Sequence, residues 1–423
     1  MLRALFCFVL LLPVAEGQVP GPSDPIAQAE ALARSGDKQG ALDQLSKAAA
    51  IQTSTAETED KIGFLYAVLG QASDAIQHFQ KATSLNAQYA PAHFHLGVAD
   101  WMSNDRQNGL SEMQRAAALD PKSAEYRFRL GSAYLDSGDN DNAATTLKEA
   151  ADLAPSDVRI WTALGQATQR KGDVIAAMEA YRHAVDLNPA DDALRNSYSW
   201  MLVETRQPDK AIAEAEKVLA HNPTDASAEM NIGYAHLKTG YFAQAEDAYR
   251  AAIKDDPNSL AAHYDLAIAL KMQDKLEAAQ KELQEAIRID PTLAEAHYTL
   301  GIIAWQSGDF AATAEQMKAA IGIRPEYAEA HYMLGIALKQ SGDLDGAMAE
   351  LKEAIRLDPS TPGPFNTLGQ ILRQKGDIEG SKQAFATGER LNAEKNAQLA
   401  NSLEQGMRGG VMPKPLPAPT AHN

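Results

Sequence analysis

Proline recurs in this chain at a fixed interval. Pro121, Pro155, Pro189, Pro223, Pro257, Pro291, Pro325 and Pro359 each stand 34 residues from the next. A period of this length marks a repeat architecture, in which one short supersecondary unit is stacked many times. It overrides the two or three globular domains that 423 residues would otherwise suggest. Residues 328–361 show the unit most clearly: AEAHYMLGIALKQSGDLDGAMAELKEAIRLDPST. Leu334, Gly335 and Leu338 share one helical face, and Gly342-Asp343 breaks the helix. Ala347, Leu351, Ala354 and Ile355 then recur at helical spacing, and Asp358-Pro359 closes the second half. Two amphipathic helices joined by a short turn are predicted.

Other positions repeat in phase. The first helix carries a small residue at Gly63, Gly97, Gly131, Gly165, Gly233, Ala267, Gly301, Gly335 and Gly369. The second helix carries two. The earlier is Ala41, Ala75, Ala143, Ala177, Ala211, Ala245, Ala279 or Ala347. The later is Ala48, Ala82, Ala116, Ala150, Ala184, Ala252, Ala286, Ala320 or Ala354. Between them stands a bulky residue: Leu45, Phe79, Leu147, Tyr181, Tyr249, Leu283, Leu351 or Phe385. Helices approach to roughly 8–10 Å only where small side chains face each other, and the bulky residue fills the remaining space. The turn is repeatedly Gly-Asp, as at Gly36-Asp37, Gly138-Asp139, Gly172-Asp173, Gly308-Asp309, Gly342-Asp343 and Gly376-Asp377. Glycine supplies a left-handed residue that ends one helix, and aspartate caps the next.

A 34-residue helix–turn–helix unit with these packing positions resembles the tetratricopeptide repeat (TPR) family. The resemblance implies an all-α, right-handed superhelical solenoid of about eleven units. They fall near 22–55, 56–89, 90–123, 124–157, 158–191, 192–225, 226–259, 260–293, 294–327, 328–361 and 362–395. It also implies an extended concave surface lined by the first helices, where the family binds peptides or other proteins. The packing residues define the family, so they say little about the partner.

The flanks differ in composition. Residues 1–17 read as a secretory signal peptide, with Arg3, an apolar run over residues 4–12, Pro13, and small residues at Ala15 and Gly17. That run is too short to span a bilayer core of roughly 30 Å. Cys7, the single cysteine, lies inside it, so disulfide and thiolate chemistry are not expected of the mature chain. A linker over 18–25 leads into the solenoid, 26–395. A capping helix end is expected at 396–408 and a proline-rich disordered tail at 409–423. Two units break the pattern. One has Ser199 for the glycine, Arg206-Gln207-Pro208 for the turn and Val218 for the later alanine. The other puts Asp100 at an apolar position and Asn104-Asp105-Arg106 at the turn. Both read as divergence.

The formal net charge is −17, from 56 acids and 39 bases. Such a balance disfavours nucleic acid and anionic membrane surfaces as partners. No stable membrane insertion is expected once the signal is removed. There is no HExxH, GxSxG, phosphate loop or dinucleotide fingerprint, and Asp139-Asn140-Asp141 lacks the glycine and distal glutamate of a calcium loop. The repeats leave no stretch for a catalytic domain, so no enzyme, cofactor or metal is expected. No permitted Asn-x-Ser/Thr sequon occurs, which fits a bacterial exported protein, periplasmic or secreted.

A second face of each first helix, offset by roughly 100° from the core face, carries aromatic residues. Phe94, Trp101, Trp200, Tyr234, Tyr264, Tyr298, Trp305 and Tyr332 are the candidate partner groove. Tyr264, Tyr298 and Tyr332 form a ladder through three units. Aromatic side chains with a polar tip suit binding surfaces. Packing of one first helix against the next would use the same face, and both readings stand on the sequence. His93, His263, His297 and His331 also share one register. Residues one repeat apart lie about a helix diameter from each other, too far to share a zinc whose ligands sit at about 2.0–2.1 Å. They read as packing residues. The expected function is a non-enzymatic protein-interaction scaffold outside the cytoplasm, binding a protein or peptide. The alternative is a saccharide-binding or assembly component of envelope or exopolysaccharide machinery.

Overall fold

The computed structural model describes residues 24–50 and 54–408. The expected signal segment with Cys7, residues 18–23 of the linker and the tail at 409–423 lie outside the described residues. All regular structure among the described residues is helical, and twenty-two helices follow in eleven consecutive pairs. The chain divides into two compact units, residues 1–218 and 219–423. The first holds Pro25–Ser35 with Lys38–Ala49, Ala56–Val68 with Ala72–Leu85, and Ala90–Met102 with Arg106–Leu119. It continues with Ala124–Asp136 and Asn140–Leu153, then Val158–Lys171 and Val174–Leu187, then Asp192–Glu204 and most of Pro208–His221. The second holds Ala226–Thr239 with Phe242–Asp255, Leu260–Lys271 with Leu276–Ile289, and Ala294–Gln306 with Phe310–Ile323. Ala328–Gln340 with Leu344–Leu357 and Pro362–Gln374 with Ile378–Arg408 complete it.

The turn chemistry works as the residues dictate. Gly172 and Gly342 sit at φ 85° and 87°, in the left-handed region that costs glycine nothing. The following aspartates cap the next helix: Asp173 Oδ1 accepts from Ala176 N at 3.1 Å, and Asp343 Oδ1 accepts from Gly346 N at 2.9 Å. The irregular turns keep this backbone without glycine, with Asn104 at φ 69°, Arg206 at 60° and Asp274 at 57°.

Packing within a pair is a small-against-large fit. A Cβ on Gly233 would stand 2.6 Å from the Tyr249 ring, and one on Gly131 would stand 2.6 Å from Leu147 Cγ. The alanines of the second helices are buried beside them. The pair with Ser199 compensates: Ala215 replaces the bulky residue, and the buried Ser199 hydroxyl donates to Ala211 O at 2.8 Å. Each short helix is marginal alone, so its stability comes from such neighbours. First helices also touch the first helices of adjacent pairs, as Ala56–Val68 touches Ala90–Met102 and Ala328–Gln340 touches Pro362–Gln374. Past Leu391 the last helix is exposed on every side through residue 400. Residues 396–400 of the expected capping segment lie in this exposed stretch.

Candidate functional site

The four in-phase histidines have a definite job. The Nδ1 atoms of His93, His263 and His331 face Glu112 at 2.5 Å, Glu282 at 2.7 Å and Glu350 at 2.6 Å, each 19 residues on. His297 faces Gln316 in the same way at 2.9 Å. The Nε2 atoms of the first three face the carbonyls of Ala87, Pro257 and Pro325, six residues back, at 3.2, 3.3 and 3.0 Å. Each of these three rings therefore ties its own second helix to the linker that precedes its first helix. Other residues at this register reach the same carbonyl. Trp161 Nε1 donates to Pro155 O at 2.8 Å, Arg195 donates to Pro189 O at 2.7 Å, and Arg127 donates to Pro121 O. Arg195 also pairs with Glu214, again 19 residues on. In the pair starting at Ala56 the roles are exchanged, with Glu59 facing His78 Nδ1 at 2.6 Å. Among the described residues no cluster of three His, Cys, Asp or Glu side chains could hold a metal.

The eight aromatic residues of the candidate groove are all half-buried. Phe94, Trp101 and Trp200 belong to residues 1–218, and the other five to residues 219–423. Phe94 stacks on Tyr126 of the following first helix, with centroids 4.6 Å apart. Trp101 lies under the Arg106 guanidinium at 4.5 Å. It also walls a cavity of about 130 Å³ with Met102, Met113 and Arg129. Trp200 packs on the cluster of Ala177, Tyr181 and Met201. Lys238 lies over the Tyr234 ring at 4.9 Å.

The tyrosine ladder does two things at once. Burial pushes the Tyr264 phenol up, and the Thr299 hydroxyl of the following first helix offsets part of that rise. Tyr298 packs on Tyr327 at 5.1 Å, and Tyr327 is itself pushed up to about 12 by burial. The Tyr332 ring lies against Gly363, whose absent side chain leaves room for it. Each ring thus packs against the next first helix or the residue that caps it, and still shows part of its surface. Trp305 packs on Phe310 at 5.0 Å, across the turn of its own pair.

Two charged residues share the ladder's face on helix Leu260–Lys271. Burial pushes the Asp265 carboxyl up to about 6 and pulls the Lys271 ammonium down. Met272, just past the helix end, is 51% exposed on the same side. Nothing in the sequence marks Asp265, because one acid in an acidic chain carries no periodic signal.

Family profiles for the tetratricopeptide repeat match residues 96–157 and 298–362, and residues 148–288. A further TPR profile matches residues 273–308. Together they run without a gap from residue 96 to residue 362, more than half the chain. The chain belongs to the tetratricopeptide repeat family. Its helix pairs are TPR units, and TPR proteins are in general interaction scaffolds. No curated protein matches it. Among solved structures, MamA is 25% identical over 39% of this chain and 97% of its own, with a TM-score of 0.37. PilW, a type IV pilus biogenesis factor, is 23% identical over 51% of this chain and 98% of its own, with a TM-score of 0.45. Yeast Tom70 is 14% identical over 90% of this chain and 96% of its own, also at 0.45. Among the described residues no helix is long and apolar enough to cross a membrane.

Proposed function

We propose that this TPR protein is a non-enzymatic scaffold that works outside the cytoplasm. It binds a peptide or protein segment along the concave face of its first helices. The observation that carries the reading is the ladder of Tyr264, Tyr298 and Tyr332, half-buried in successive first helices, each with ring surface left over after packing on its neighbour. Rigid aromatic surface with a polar tip gives contact area at low entropic cost. The apolar residues between them, Ile268, Ile302 and Ile336, are half-buried on the same face. Several shallow contacts repeated along a row suit an extended or helical ligand. Export rests on the residue pattern of positions 1–17.

Affinity capture with residues 18–423 from the cell envelope and medium tests this reading. A Met272→Glu variant runs beside it, since a charge at an exposed position on this face leaves the core untouched. A protein recovered with the parent and lost with the variant is the expected result. Equal recovery by both, or recovery of glycan in place of protein, contradicts it. Retention of Met1 on the exported protein would overturn the signal cleavage.

A further inference from the structure

Asp265 stands next to Tyr264 in helix Leu260–Lys271, half-buried on the face assigned to the partner. Its carboxylate accepts no hydrogen bond and forms no ion pair among the described residues. The neighbouring residues at this register differ. Thr299 satisfies its hydroxyl on Glu295 O at 2.8 Å, Thr367 does so on Gly363 O at 3.1 Å, and Met333 has no such need. The charge of Lys238, one repeat back, reaches Asp265, but that ammonium is exposed and lies over the Tyr234 ring. Beneath the face, the hydroxyl of the fully buried Tyr249 has no hydrogen-bond partner among the described residues. The Asp265 charge is felt there and adds to the burial that raises the Tyr249 phenol.

A half-buried carboxylate that makes no hydrogen bond or ion pair is costly in the free protein. A cation brought against it removes that cost and forms charge-assisted hydrogen bonds. Tyr264, beside Asp265 in the chain, and Ile268, three residues on in the same helix, offer half-buried apolar surface to the aliphatic stem of a long basic side chain. The chain's net charge of −17 also favours encounter with a cationic segment. We propose that Asp265 receives an arginine or lysine side chain of the bound segment, so that the partner carries a basic residue at this register. This rests on the reading of the first-helix face as the partner surface.

The test is selection of a random peptide library displayed on phage against the full chain. Selected peptides are expected to share one arginine or lysine. Asp265→Asn should weaken them about tenfold or more, and Asp265→Glu should retain part of the affinity. Replacing the shared arginine by citrulline should cost about as much on the parent and nothing further on Asp265→Asn. Thermal unfolding of Asp265→Asn should be unchanged or higher, which a merely structural carboxylate would not give. Peptides that lose affinity with Met272→Glu, but carry no shared basic residue or bind Asp265→Asn as well as the parent, sink the inference alone. If no peptide is selected, or the selected ones ignore both variants, the reading of the face falls with it.

Discussion

At the scale of single residues, the positions that depart from the repeat make the sharpest predictions. Arg206 is exposed and holds φ 60°, a backbone that costs a non-glycine residue roughly 1–2 kcal/mol. Arg206→Gly should raise stability, by up to about 1 kcal/mol once the entropy of glycine is set against the relief. Asp100 is 7% exposed and is pushed up to about 6, first by burial and then by Asp105 and Glu112. A folded pKa above the unfolded one means that the protonated form fits the fold. That contribution is complete below about pH 4 and is lost as pH rises through about 6. Amide exchange in helix Ala90–Met102 should therefore quicken between pH 4 and pH 7, after correction for intrinsic rates. Asp100→Leu should abolish that dependence and slow exchange most at pH 7. A dependence that persists in the variant would place the titrating group elsewhere. The sequence marked Asp100 as out of place and shows Asp105 close behind it, but could not show that Glu112 is a neighbour, because Glu112 sits on the other helix of the pair.

At the scale of helices, two kinds of contact hold a TPR unit, and only one was legible. The small-against-large fit was, because close approach of two helices restricts size at fixed positions, and size restrictions recur in the letters. Ala286, fully buried against its neighbours, shows the consequence. Ala286→Leu should cost about 1–3 kcal/mol by overpacking, read from denaturant unfolding. The latch from His331 to Glu350 and the Pro325 carbonyl was not legible. Its partners lie 19 residues ahead and six behind, and its residue type varies among His, Arg, Trp and Glu. His331→Ala and Glu350→Ala should each cost about 1–3 kcal/mol, because the first leaves the half-buried Glu350 unpaired and the second the buried His331. Exchanging the two, His331→Glu with Glu350→His, should restore part of that loss, since Glu59 and His78 already use the reversed order. A double-mutant cycle showing no coupling would remove the latch from the account.

At the scale of the molecule, repetition makes the fold readable and hides the function. Every unit repeats its core, so the all-α stack of helix pairs follows from a few packing positions. A binding surface is what differs between units, and one sequence offers no average against which to see it. The tyrosine ladder shows the difficulty, since Tyr264, Tyr298 and Tyr332 are placed on one face by period alone, while their contacts with Thr299, Tyr327 and Gly363 appear only in three dimensions. Those contacts make a triple alanine variant a poor probe, because it would loosen the stack along with any partner. The most direct test of the central claim therefore keeps the tyrosines. A photoreactive side chain is placed at Ile302 or Met272 on the first-helix face, and at the exposed Lys281 or Lys318 on second helices, in protein expressed in its own cells. The account predicts a crosslinked partner from Ile302 and Met272 and none from Lys281 and Lys318. Crosslinks that arise only from the second helices would contradict it.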